Sequence, residues 1–492
     1  MGVRTSVRVW SAGIYPGSLG SAAQQCLKVL ARPFCGLKPA SLTRTEVRTP
    51  IGAALACAML GGCLSQPSPE AHVVTIWQPF DATDQAALDH IVAAFERTHP
   101  GIKVRMSYAS NDLTSSQKLF LAIAGGVGPD VTFVDGQQLS EWAARGALAD
   151  LTDSFDKSGL KPEDFWTPRW KESTFRGHVF AIPWGADPNF AFVWNKDMFR
   201  KVGLDPEKPP RTIDDLDRMV DKLTVVDKQG NITTLGINPW EWSGANSMFT
   251  WGYAFGGNLY KEPDAAHPLG TVTADDPKVV EALEWMAKFG RKYDVRKVNS
   301  FSTQVVGIGN DPFYAGKAAM RLLHVSQIKT LHQYAPTMDL GIGLIPAPLD
   351  GEYPNGWIGG WSLAVPRNRQ VRPEAFEFIK WMCTSDEATA IEANEMEQFP
   401  AYAKSPVFGR LSKDPVRGVF YQILAHAKHV RTLMPVQGYY MERIGRAMDE
   451  VLYGGASPRE ALAKVTVDVS KRLQAVSDEL AMHDSGGGGH RQ

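Results

Sequence analysis

The stretch from Val73 to Asp135 constrains the fold most, because it alternates two hydrophobic periods with little chain between them. VVTIW is a β-branched run, and DQAALDHIVAAFERTHPG then places Ala87, Leu88, Ile91, Val92 and Phe95 at helical spacing before Pro100 and Gly101 stop it. IKVRMSY alternates Ile102, Val104 and Met106 against Lys103, Arg105 and Ser107, as a half-buried strand does. LTSSQKLFLAIAGG reads as a second helix closed by Gly125 and Gly126, and PDVTFVD as a third strand. Strand, helix, strand, helix, strand with short links predicts a parallel sheet covered by helices. Ligands of such sheets bind beyond the carboxyl ends of the strands. Two polar endings fall on that edge: Gln78 to Asp81, and Asp135.

A chain of 492 residues exceeds what one core supports, so two lobes are expected. GHVFAIPW and NFAFVWN read as strands, and the GADP between them, residues 185–188, suits a crossing between lobes, with Trp184 to Asp187 as hinge and cleft wall. Thr212 and Asp215 in TIDDLDRMVDKL resemble a capping box. TLGINPW is expected as a strand running into PWEW, residues 239–242, and FYAGKAAMRLLHV and LGIGLIPAP as further strands. WIGGWSLAVP and PEAFEFIKWMCT return to strand and helix, two closing helices follow, and DSGGGGHRQ is expected as a flexible tail.

The formal charge of −1 is uneven. Residues 1–62 carry seven basic side chains against Glu46 alone, a net of +6, which leaves −1 − 6 = −7 for the rest. An acidic body with no Lys/Arg stripe argues against a nucleic-acid partner. Of the five cysteines only Cys383 lies in the body, within a helical pattern, and a buried inert thiol is expected there.

RTPIGAALACAMLGGCLSQPSPE has a basic flank at Arg48, an apolar run from Ile51 to Leu60 too short to span a bilayer, and then Leu60-Gly61-Gly62-Cys63. It resembles a bacterial lipoprotein signal, with Gly61 less usual at its position. The expectations are an extension plus signal peptide over 1–62, lipid on Cys63, a tether over 63–72, and export to the periplasm or the outer face of the cytoplasmic membrane. Translation from Leu42 or Val47 would account for the featureless first 46 residues.

GPDVTFVDGQQLSEWAARGALADLT, FAIPWGADPNFAFVWNKDMFRKVGLDP with PPRTIDDL, FYAGKAAM, and GGWSLAVP followed by PEAFEFIKWM resemble, in order, the extracellular solute-binding proteins of ABC importers in their carbohydrate-binding branch. The resemblance implies a bilobed α/β fold of periplasmic-binding-protein type with a multi-segment hinge. Lobe one would take 71–184 and 357–403, lobe two 187–354 and 404–480, with 481–492 as the tail. It also implies a monomer with no catalytic role and no cofactor, whose partners are a sugar and a permease pair with its ATPase.

A neutral saccharide presents apolar C–H faces and a rim of hydroxyls. Flat aromatic rings suit the first, and carboxylates and amides the second. By resemblance, relatives touch ligand at positions matching Phe80 and Asp81 after the first strand, Asp135 after the third, and Trp184 and Asp187 at the crossing. In lobe two they match Trp240, Trp242 and Asn246, then His324 and Ser326. Gly360 and Trp361 lie at the return crossing, and Tyr440 at a late aromatic position. Core packing is the alternative for each Trp, and a cap or solvated turn for Asp135 and Asp187. Glu241 is expected on the cleft rim and Trp251 in the core. A glycoside hydrolase would also want a Trp-lined cleft and two carboxylates, with Asp135, Asp187 and Glu241 available, but no spacing places two of them together. Polyol, glycerol phosphate or peptide are alternative cargoes, although none of the positions chosen is basic except His324. His426 and His429, three apart on an expected helix, lack a third ligand and are read as surface residues, not a metal site.

Overall fold

The first strand, β1 (His72–Gln78), buries Val74, Ile76 and Gln78 on one face, and α1 (Gln85–Thr98) covers the sheet with Ala87, Leu88, Ile91, Ala94 and Phe95. Each such large apolar side chain, once fully buried, contributes about 1.5–3 kcal/mol. β1 lies parallel to β2 (Ile102–Tyr108) on one side and to β3 (Val131–Asp135) on the other. The expectation of a parallel sheet holds for these three strands only. β4 (Ala181–Pro183) and the late strand β10 (Trp361–Ala364) complete a five-stranded sheet in the order β2-β1-β3-β10-β4, with β10 antiparallel to both neighbours. That reversal sets Trp361 opposite Asp135, at the sheet edge where the parallel strands end.

The computed structural model describes residues 71–109, 119–123, 125–242, 245–303, 311–367 and 369–486. The expected export signal, Cys63 and nearly all of the tether lie outside the described residues.

GADP is not a loop. Gly185–Asn189 forms β5, which pairs with β9 (Trp357–Gly359) and β11 (Phe399–Pro400), and β9 pairs in turn with β12 (His429–Val430). This four-stranded hinge sheet joins four separated segments of the chain, because extended backbone leaves groups that only a neighbouring strand can satisfy. Beyond it, β6 (Ala191–Asn195) is the centre of an antiparallel three-stranded sheet with β7 (Met320–Leu323) and β8 (Leu340–Gly343).

One face of that sheet packs on a cluster containing α4 (Ile213–Leu223), α5 (Ala245–Ala254) and α6 (Pro277–Tyr293). Thr212 and Asp215 form the capping box that the sequence indicates. The other face, through Ala191, Val193 and Leu323, joins the cluster of the five-stranded sheet, so apolar packing is continuous across the hinge. Trp166 packs against Phe408 and Tyr421 within it. TLGINPW is mostly irregular: Leu235 makes one parallel bridge to Ala318, and the Asn238 side chain then accepts from Trp240 N in a turn.

Late in the chain, α8 (Pro373–Thr384) holds Cys383 fully buried, as expected, its thiol near the Ile182 carbonyl and pushed well up by burial. α9 (Asp386–Glu395) and α10 (Arg417–His426) follow, then α11 (Gln437–Leu452) and α12 (Pro458–Gly486). The helix expected to carry both His426 and His429 ends at His426, and His429 lies in β12, bonded to Glu352. Among the described residues no group of side chains is placed to hold a metal ion, and no helix is long and apolar enough to cross a membrane. α12 runs to Gly486, past the start of the expected tail, whose remaining residues lie outside the described ones.

Candidate ligand-binding cleft

Strand ends of lobe one and the hinge sheet build one wall. Asp135 caps α2 (Gly136–Ala144) by accepting from Gln137 N at 3.2 Å, and it also accepts from Gln137 Nε2 at 2.8 Å. Its third partner comes from across the cleft: Arg431, just after β12, donates from Nη1 at 3.2 Å. The Arg431 guanidinium lies 4.9 Å from the centroid of the fully buried Trp357 ring, and its Nε is buried with no protein partner. A cleft cation was not expected from the sequence, because Arg431 in KHVRTLMP carries no motif and becomes a cleft residue only through β12 pairing with β9.

Arg169, on α3 (Thr167–Glu172), lies behind this wall with no solvent exposure. It donates to the carbonyls of Gly185 at 2.9 Å and Trp361 at 3.0 Å and to Ser362 Oγ at 3.0 Å, and it pairs with Glu172. Burial lowers its pKa to about 10, so it stays charged. It thus ties the first and return crossings together. Gly360 sits between them at φ +136, where a Cβ would run into the Gly185 carbonyl. On α9, Glu392 is fully buried with neither carboxylate oxygen bonded; burial and then the charge of Asp187 push it well above the carboxylate range, so it is neutral.

Trp361 is half-buried; Phe80 and Phe133 meet it edge-on at 5.7 and 6.5 Å, and Trp184 packs edge-on against both of them at 5.2 Å. Phe80 and Trp184 are therefore the packing beneath the wall rather than its surface, a correction to their assignment as ligand contacts. Asp81 is exposed and closes a turn on Thr83, whose hydroxyl and amide hold its carboxyl below its usual range.

Lobe two supplies the opposite wall. Trp242 is half-buried, stacks on Phe190 at 4.7 Å and donates from Nε1 to Leu322 O at 3.0 Å. His324 lies 5.8 Å from both rings; burial lowers its pKa, against Asp187, so it is neutral at pH 7. Its Nδ1 is 2.7 Å from Ser326 Oγ at the exposed start of α7 (Gln327–Tyr334). Asn246, in the first turn of α5, and Asn189 each keep a buried Oδ1 without a partner.

Two other aromatics are core. Trp240 is 6% exposed, donates to Asn299 Oδ1 at 2.7 Å and packs edge-on against Phe289. The turn at Asn238 and Pro239 replaces the expected strand end, so the two rings of PWEW go to different places. Tyr440 is fully buried, its hydroxyl donating to Leu259 O at 2.8 Å, whereas its neighbour Tyr439 is 37% exposed. Trp251 is fully buried, as expected. Glu241, expected on the rim, holds Arg321 together with Asp311 and lines a cavity of about 410 Å³ that Trp242 also lines. Burial, opposed by Arg321 and reinforced by Asp311, pushes Glu241 up to about 7.

The structure therefore brings together Asp135, Asp187, Asn246, His324, Gly360, Trp361 and Trp242, and adds Arg431 and Asn189, with Phe190 as the packing beneath Trp242. The lobes meet in further ion pairs, Lys171 with Glu262 at 2.5 Å and Arg176 with Asp484 at 2.6 Å. Two half-buried indoles with buried unsatisfied amide and guanidinium groups can grip a polyhydroxylated molecule.

The chain is similar in sequence and fold to several known proteins. Residues 81–389 match the family model described as "Bacterial extracellular solute-binding protein". Curated relatives include the sn-glycerol-3-phosphate-binding periplasmic protein UgpB of Shigella flexneri serotype 5b, 23% identical over 320 residues, which cover 63% of this chain and 69% of that one. The Escherichia coli K12 protein of the same name is 22% identical over the same shares. Among solved structures, CpMnBP1 with mannotriose bound superposes with a TM-score of 0.69 at 24% identity, covering 80% of this chain and 99% of that one. A Listeria monocytogenes ABC substrate-binding protein in complex with cycloalternan gives 0.68 at 19%, covering 82% and 99%.

Proposed function

The chain belongs to the bacterial extracellular solute-binding proteins, a family of binding proteins rather than catalysts, and on that footing we propose that it captures a neutral saccharide for an ABC importer. The observation that carries this reading is a set of two half-buried indoles, Trp242 beside Phe190 and His324 and Trp361 opposite Asp135, together with the unbonded buried acceptors of Asn189 and Asn246 and the Asp135–Arg431 contact. Indole faces cover C–H surfaces, and the buried acceptors and donors take hydroxyls that bond both ways. Charge supports a neutral cargo. Asp135 and Asp187 against Arg431 sum to −2 + 1 = −1, His324 is neutral, and the buried Arg169 and Glu172 cancel. A phosphate dianion would enter against that balance.

Closure follows as a population shift: contacts from both walls exist together only when the lobes meet, so a ligand touching both favours the closed state. A second reading, glycerol phosphate, has one observation in its favour, the unpartnered Nε of Arg431, and the names of the curated relatives point the same way. Calorimetric titration of the purified protein with mono- and oligosaccharides and with glycerol 3-phosphate separates the two. Binding of sugars with no turnover supports the first reading; binding of glycerol 3-phosphate alone replaces it. Export and lipid anchoring at Cys63 complete the proposal, and palmitate labelling lost in Cys63→Ala tests them.

A further inference from the structure

We propose that Arg321 is a positioning residue for ligand capture: by pairing with Glu241 it holds the Trp242 ring in place as a wall of the cleft, an inference that rests on the saccharide reading above. Arg321 lies on β7 immediately before Leu322, whose carbonyl accepts from Trp242 Nε1 at 3.0 Å. Glu241, immediately before Trp242, pairs with the Arg321 guanidinium. Two consecutive residues of PWEW are therefore fastened to two consecutive residues of one strand. That strand is itself fixed, since Arg321 and Leu322 stand opposite Val193 and Phe192 of β6.

The second fastening matters because residues 239–242 belong to no helix or strand. The indole itself has one hydrogen bond, Phe190 stacked at 4.7 Å and His324 at 5.8 Å. It also borders the cavity of about 410 Å³, together with Glu241, Phe301, Phe313 and Met320, so open space adjoins the ring. Arg321 is suited to restrain it. The guanidinium is 4% exposed, bonds to Asp311 at 3.0 Å and lies 5.8 and 5.6 Å from the ring centroids of Phe313 and Tyr314. A buried ion pair adds little net stability once desolvation is counted, but it can specify one arrangement of the chain, and here that arrangement is 241–242 against β7. The Glu241 side chain keeps 24% exposure, so its truncation leaves Arg321 paired with Asp311 and empties no core.

The test is a double-mutant cycle read in affinity. Mono- and oligosaccharides of glucose and mannose are titrated by calorimetry into the wild-type protein, Glu241→Ala, Trp242→Ala and the double variant. Glu241→Ala should weaken the best-binding sugar about fivefold when Trp242 is present and less than about twofold when it is not, a coupling on the scale of neighbouring residues. Glu241→Gln, which keeps an acceptor for the guanidinium, should restore most of the affinity. Arg321→Gln should reproduce the coupling, and the Glu241 variants carry the test where that buried substitution prevents folding. Equal losses with and without Trp242, or no loss in Glu241→Ala, overturn the positioning role while leaving the saccharide reading intact. No binding of any sugar by the wild-type protein overturns that reading itself, and this inference with it.

Discussion

The two rings of PWEW make the most direct test of the cleft, because truncating each should move a different observable. Trp240 is 6% exposed, bonded to Asn299 and packed on Phe289. Trp240→Ala leaves a cavity and an unpaired Asn299 Oδ1, costing about 3–5 kcal/mol of stability. At an unfolding entropy of about 2.1 cal/mol/K per residue over roughly 400 residues, 4 kcal/mol lowers Tm by about 5 °C. Trp242 is half-buried and stacked on Phe190, and its removal opens a wall without emptying a core. Trp242→Ala should therefore cost about 1–3 kcal/mol in ligand affinity, roughly 5- to 150-fold, with a smaller loss of Tm. Differential scanning fluorimetry and calorimetric titration with the best-binding sugar read the two effects separately. The reverse pattern, affinity lost in Trp240→Ala and kept in Trp242→Ala, would show that the wall has been assigned to the wrong ring.

Three other outcomes follow from the same geometry. Arg431→Gln removes the cation over Trp357 and leaves Asp135 without its cross-lobe partner, so sugar affinity should fall about tenfold or more by titration; no loss would place the ligand elsewhere. Gly360→Ala places a Cβ against the Gly185 carbonyl at a φ of +136 and should lower Tm by several degrees, or prevent folding, in a melting scan. Glu241, raised from 4.5 to about 7, binds its proton more tightly folded than unfolded. Its contribution is thus full below about 4.5 and is lost as pH rises through about 7. Glu241→Gln should flatten that part of the stability–pH curve in urea melts; an unchanged curve refutes the assignment.

Much of the fold was legible because period and punctuation agree in the sequence. β1, α1, β2 and β3 follow from VVTIW to PDVTFVD, and the capping box of α4 from Thr212 and Asp215. The reversed β10 was less so, because strand direction depends on where the chain returns from lobe two, which no local pattern encodes. The site divided in the same way. Asp135 and Trp361 could be placed as residues at strand ends on one sheet edge. Trp184, Phe80 and Tyr440 share the composition of a sugar platform, yet the sheet and helix packing turned them inward; an aromatic at a cleft-edge position is equally suited to holding up the ring that faces the ligand.

What the sequence concealed most fully was charge brought together from a distance. Arg169 and Glu172, to which no sequence pattern drew attention, are fully buried as a pair, and Arg431 meets an aspartate 296 residues away. Both guanidiniums lie where three chain passages converge in the hinge sheet, where backbone carbonyls on β5 and β10 and a carboxylate on β3 need donors. The cations of the hinge therefore do two jobs. Arg169, fully enclosed, donates to both crossings and pairs with Glu172, which ties the crossings to one another. Arg431 bonds to Asp135 and has a buried Nε without a protein partner. A ligand that bonds such an incompletely satisfied cation and touches both walls would favour whichever arrangement of the lobes brings them together.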